Sequence, residues 1–145
     1  MLKKFRRLCD LTAGNRLLFF QLFTFALALR VGLVLVPLPR LVRILSTQVT
    51  GFLEGFQIGY KKSDWSRLAT LADLAARVAR GKGRCLMRSL LLFTLLKTRG
   101  EPAELLIGVN KDGTVFQAHA WIQTNGTILG DKAEATAGFS TLLRL

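Results

Sequence analysis

Histidine, cysteine and acidic side chains are the scarce residues of this sequence, and each shortage excludes something. One histidine and two cysteines in 145 residues cannot furnish the four-ligand set of a structural zinc site, so no metal is expected, and no cofactor either. The cysteines stand in unlike settings, Cys9 in a basic N-terminal arm and Cys85 at the start of an apolar helix. That separation argues against a structural disulfide and for a reducing cytoplasm. Only 9 acidic residues face 21 basic ones, a formal net charge of +12, which favours anionic partners such as nucleic acid, an acidic membrane surface or an acidic peptide. The basic residues are scattered from Lys3 to Arg88 without the interleaved aromatics of a strand-binding groove, so nucleic acid is not expected. Repeats and low-complexity tracts are also missing, and the length is that of one domain.

What is present in quantity is apolar helix. Leu11 to Val36 is the most hydrophobic part, and Leu17 to Val36 has the length of a membrane span. Arg30 inside that window and Gln21 near its start are both unfavourable in hydrocarbon, which favours a helix buried in a core or a partner. A peripheral membrane contact stays open. No small-x-small cleavage site precedes a cysteine-rich body, so a signal peptide is not expected. Pro37 and Pro39 should break the helix. Leu41 to Tyr60 reads as weak helix with Gly51, Gly55 and Gly59 on one face.

From residue 63 onward the pattern is firmer. Ser63 and Asp64 can cap a helix whose apolar Trp65, Leu68, Ala69, Ala72, Ala75, Ala76 and Ala79 recur at helical spacing. Gly81 to Arg84 ends it, and Cys85 to Arg99 forms a helix apolar nearly all round, hence a central one. Gly100 and Pro102 stop that helix. The period then becomes alternating, predicting strands over Leu105–Val109, Val115–Gln123 and Thr127–Asp131. Lys132 to Leu145 carries no clear signal. The expected fold class is α+β: N-terminal helices (1–62) and a core (63–145) in which the Cys85 helix packs on a small antiparallel sheet, all in one compact unit.

Three residues in this frame carry chemistry. A thiol at a helix N-terminus lies among unpaired backbone N–H groups whose partial positive charge stabilises negative charge on sulfur. Cys85 is therefore a candidate nucleophile, although a lone cysteine is more often a small packing residue. His119 lies in the second strand, and Asp131 is the carboxylate at the end of the next. Their meeting depends on hairpin register. With a two-residue loop, Asn125-Gly126, His119 falls opposite Lys132 and Asp131 faces the other way. With a three-residue loop, Thr124-Asn125-Gly126, His119 falls opposite Asp131, with Cβ atoms about 5 Å apart. Gly126 suits both turns. In the second case Cys85 is the nucleophile, His119 the base and Asp131 the group that orients it. The backbone N–H of Cys85 is the natural first oxyanion donor; Gln57, Tyr60 and Trp65 are candidates for the second. Trp121, on the strand face of His119, either walls the cleft or packs in the core. Arg88, one turn after Cys85, pairs with a carboxylate of the fold or of the substrate.

This order of Cys, His and Asp resembles the transglutaminase-like branch of the papain-like cysteine hydrolases. More closely, Cys85-Leu-Met-Arg88-Ser89-Leu, Leu105-Leu-Ile-Gly108-Val, Ala118-His119-Ala120-Trp121 and Gly130-Asp131 resemble in order and spacing the leader peptidases of lasso-peptide biosynthesis, over about residues 64 to 131. The resemblance implies a Cys85-His119-Asp131 triad that removes the leader from a ribosomally made precursor peptide. It also implies a separate leader-recognition protein and an ATP-dependent cyclase as partners. The chain has no room for the recognition module, so it looks like the split, protease-only form. The 14 residues after Asp131 leave little to cover a site. Two other readings stand beside this one: acyl transfer to an amine by the same triad, and a non-catalytic basic module binding a membrane or a partner helix.

Overall fold

The computed structural model describes residues 13–47, 65–79, 83–112 and 115–145. Four helices precede the sheet: α1 (Ala13–Leu35), α2 (Leu38–Thr47), α3 (Trp65–Val78) and α4 (Arg84–Lys97). The strands β1 (Glu104–Asp112), β2 (Val115–Thr124) and β3 (Thr127–Leu129) follow, then the short helix α5 (Ala133–Thr136) and β4 (Ser140–Arg144). The sheet is antiparallel, in the order β3-β2-β1-β4. The α+β class with the cysteine-bearing helix against a small antiparallel sheet is therefore the observed one.

The core follows from apolar spacing. Leu68, Ala72 and Ala75 of α3 and Leu90, Leu91, Leu92 and Leu96 of α4 are wholly buried, and Leu105 and Ile122 close the core from the sheet side. Burying Leu96 and Ile122 alone removes enough apolar surface to contribute about 2 kcal/mol each. Helix α4, apolar all round as its sequence requires, lies between α3 and the sheet.

The structure corrects one expectation and adds detail to two others. Pro39 does not break a helix; α2 begins at Leu38 and holds Pro39 in its first turn, where a missing N–H costs nothing. The tail is ordered structure: α5 and β4 lie within it, and β4 pairs with β1 across a register shift between Ile107 and Gly108. Leu145 and Leu105 exchange backbone hydrogen bonds of 2.9 Å in both directions. Helix α1 is neither buried all round nor free. Leu18, Leu22, Ala26 and Leu29 form the inner stripe, whereas Leu17, Phe20, Leu27, Val31, Val34 and Leu35 are exposed. Its length and composition would span a bilayer, but Arg30 shows how the charge is accommodated against protein: its Nη1 donates to the Ala79 carbonyl at 2.6 Å, beyond the last turn of α3, where acceptors are unpaired. The Ser63-Asp64 cap and the glycines at 51, 55 and 59 lie outside the described residues.

The two sides of α1 predict opposite mutational outcomes. Val34→Glu, on the open side, should change unfolding free energy by no more than about 0.5 kcal/mol. Ala26→Glu, at a position with no exposure, should cost several-fold more by burying an unpaired charge, as read by urea denaturation.

Candidate active site

Gly83, in the left-handed conformation (φ 79°), precedes α4, and no side chain caps the helix there. The N–H groups of its first turn, that of Cys85 among them, have no acceptor within the helix. Cys85, Arg88 and Ser89 occupy positions i, i+3 and i+4 and so share one helix face. Two contacts fix where that face looks. The Ser89 hydroxyl, fully buried, donates to the Ala120 carbonyl at 3.0 Å. The Arg88 guanidinium donates to Asp131 Oδ2 in an ion pair whose side chains are 11% and 12% exposed. Cys85 is half-buried and unbridged, one turn before both anchors.

Asp131 Oδ2 also meets His119 Nε2 at 3.1 Å. An ion-paired carboxylate only accepts, so this contact places a hydrogen on Nε2. The pair forms in a way the register argument excluded. The hairpin has the two-residue loop: Thr124 pairs with Thr127, Asn125 and Gly126 have φ of 48° and 77°, and Ile122 pairs with Leu129. A continued strand would have carried Asp131 away from His119. Instead β3 stops at Leu129, and Gly130, at φ 81°, turns the chain out of the sheet. Asp131 therefore owes its place to a backbone turn rather than to cross-strand pairing. A Cβ on Gly130 would sit 3.1 Å from Leu92 Cδ1 and 3.4 Å from Ala69 Cβ, so the left-handed conformation favours glycine there and the space around it is tight.

The other side of His119 is aromatic. The Trp121 ring stacks on it at 6.1 Å, and Phe139 lies at 5.5 Å from His119 and 6.4 Å from Trp121. Trp121 is buried, packed across Gly108, where a Cβ would come within 2.8 Å of the indole. It thus supports the imidazole from within the fold. Phe139 belongs to the segment that had promised no cover, and it flanks the histidine. Trp65 stands elsewhere: the Arg99 guanidinium lies 5.2 Å from its ring, some 14 residues or about 20 Å of helix from Cys85, too far for an oxyanion donor. Gln57 and Tyr60 lie outside the described residues. Sequence reasoning assigned no role to Ser89, Gly130 or Phe139. Only Gly130 carried a usable signal, a glycine directly before the candidate carboxylate.

The structure brings Arg88, Asp131 and His119 together and places Cys85 on the helix face that carries Arg88. The family model described as the transglutaminase-like superfamily matches residues 32–144, and the chain belongs to that superfamily. The match begins inside α1 and reaches β4, well beyond the stretch that carries the motifs. No curated protein and no solved structure matches the chain.

Gly130→Ala should lose about 2 kcal/mol of stability from the left-handed backbone and the crowding of Leu92. Gly126→Ala, with nothing within 4 Å of its Cβ, should lose only about 1 kcal/mol. Arg88→Met should cost about 3 kcal/mol, since it strands a buried carboxylate. Thermal and urea unfolding of the three variants would measure this ranking.

Proposed function

We propose that the chain is a cytoplasmic cysteine peptidase that removes the leader from a lasso-peptide precursor. The observation that carries this reading is the His119 Nε2 to Asp131 contact, tied through Arg88 to the helix that begins at Cys85. The ordered motifs around Cys85, Gly108, His119 and Asp131, which resemble those of lasso leader peptidases, supply the substrate class. Membership of the transglutaminase-like superfamily is consistent with Cys-His-Asp chemistry.

The chemistry follows from the placement. Cys85 Sγ attacks the carbonyl at the leader–core junction as its proton passes to His119 Nδ1. Asp131 accepts the Nε2–H bond and stabilises the imidazolium. The tetrahedral oxyanion accepts from the N–H of Cys85 at the helix start. Collapse breaks the peptide C–N bond, the core amine leaves with the proton from His119, and the leader remains as a thioester on sulfur. Water, activated by the same imidazole, hydrolyses the thioester. A separate leader-recognition protein presents the precursor, and an ATP-dependent lasso cyclase takes the freed core.

The test is incubation with a lasso-peptide precursor and a leader-recognition protein, read by mass. Wild type should release the leader, Cys85→Ala should release none, and Asp131→Asn should be slowed at least about 100-fold. Leader loss that persists in Cys85→Ala would refute the assignment, and an amine adduct in place of free acid would point to acyl transfer.

A further inference from the structure

Helix α1 buries one side and leaves the other open. Leu17, Phe20, Leu27, Val31, Val34 and Leu35 are each at least 43% exposed. With 3.6 residues to a turn they share an arc of about 100°, opposite the buried Leu18, Leu22 and Leu29. The arc runs about 27 Å along the helix and carries no charged side chain between Leu17 and Leu35. Thr24, the polar residue within it, turns its hydroxyl back to the Gln21 carbonyl at 2.9 Å. Among the described residues nothing covers this side.

Cations border the arc. Gly32 is three residues from Leu35 and four from Ala28, and so lies beside the open side. Leu41 of α2 packs there: a Cβ on Gly32 would come within 3.2 Å of Leu41 Cδ1. Helix α2 thus flanks the arc, turning Leu41, Val42 and Leu45 inward and leaving Arg40, Arg43 and Ile44 exposed. Among the described residues no carboxylate pairs with either arginine. Between Leu11 and Leu53 the sequence holds four arginines and no acidic residue.

We propose that this surface docks α1 and α2 in the plane of an acidic lipid bilayer, the apolar arc entering the headgroup–acyl boundary while Arg40 and Arg43 meet anionic headgroups. An apolar strip bordered by uncompensated cations complements such a surface on both counts. A second copy docked through the same face would bring two arginine-bordered surfaces together, with no acidic residue in α1 or α2 of either copy to compensate them. Spanning the bilayer would require α1 to leave the core, stripping Leu18, Leu22 and Ala26 from it and Arg30 from the Ala79 carbonyl. Most of the arc, Leu17 to Val31, precedes the residues that the superfamily match covers. The docking surface is therefore largely distinct from the shared domain, and it does not depend on the peptidase reading.

Vesicle sedimentation with the full chain tests the surface. Equimolar phosphatidylcholine and phosphatidylglycerol should bind the protein at least about tenfold more tightly than phosphatidylcholine alone, and raised salt should shrink that gain. Arg40→Gln and Arg43→Gln should each weaken binding to the acidic vesicles about fivefold, whereas Arg144→Gln, which removes the same charge from β4, should weaken it less than about twofold. Phe20→Gln combined with Val34→Gln should weaken it at least about tenfold, with thermal unfolding unchanged. Alkaline carbonate should release the bound protein. Failure to bind the acidic vesicles would overturn the proposal, and so would equal losses for Arg43→Gln and Arg144→Gln, which would reduce the effect to net charge. Retention through the carbonate wash would overturn it in favour of a spanning helix. Lipid-free dimerisation that the Phe20→Gln, Val34→Gln variant abolishes, without vesicle binding, would assign the face to a second copy instead.

Discussion

One carboxylate oxygen, Asp131 Oδ2, accepts from both the Arg88 guanidinium and the His119 imidazole. Arg88 belongs to the helix that begins with Cys85, and His119 to the second strand, so this oxygen is the junction between the two halves of the site. A buried carboxylate without partners is costly, whereas one with a cation and a further donor is tolerated. The arrangement therefore couples three demands: the charge must be compensated, α4 must stay docked on β2, and the imidazole must keep one tautomer. The buried Ser89 bond to Ala120 holds the same helix face to the same strand by a neutral contact one residue away. Losing either anchor would loosen the docking of α4 on β2.

Much of this frame was legible in the sequence because it rests on local pattern. The helix expected over Cys85–Arg99 is observed as Arg84–Lys97, and the strands expected from Leu105 and Val115 appear, each somewhat longer. An all-round apolar helix has to be central, and alternation next to Asn-Gly has to be a hairpin. The meeting of His119 and Asp131 was legible only as a question of register, and the condition set for it was wrong. The two-residue turn forms, and Gly130 then undoes the unfavourable register by taking the chain out of the strand. That turn sets Gly130 against Leu92 and Ala69, two residues from helices remote in sequence, so no local period could reveal it. Strand β4 and Phe139 were illegible for a similar reason. Their apolar residues, Phe139, Leu142, Leu143 and Leu145, follow neither a clean helical nor a clean alternating period, and their placement comes from pairing with β1.

The N-terminal helix combines a span-like composition with partial packing on the fold. Its hydropathy suits a membrane span, yet one stripe is core and Arg30 is satisfied by a carbonyl following α3. The apolar residues on its open side, from Leu17 to Leu35, form a contiguous surface on a strongly basic protein. The superfamily match begins within this helix, so part of it belongs to the same unit as the site.

The central claim of the proposed mechanism is that Asp131 holds His119 through Nε2, which leaves Nδ1 to serve the thiol. Because the chain contains a single histidine, nitrogen-15 NMR of the imidazole reads one residue without assignment. In Cys85→Ala protein, above the pH range in which imidazole titrates, the account predicts a single fixed tautomer with the proton on Nε2. The same spectrum for Asp131→Asn should lose that preference. A wild-type Asp131 background showing the proton on Nδ1, or rapid averaging between the two nitrogens, would contradict the account.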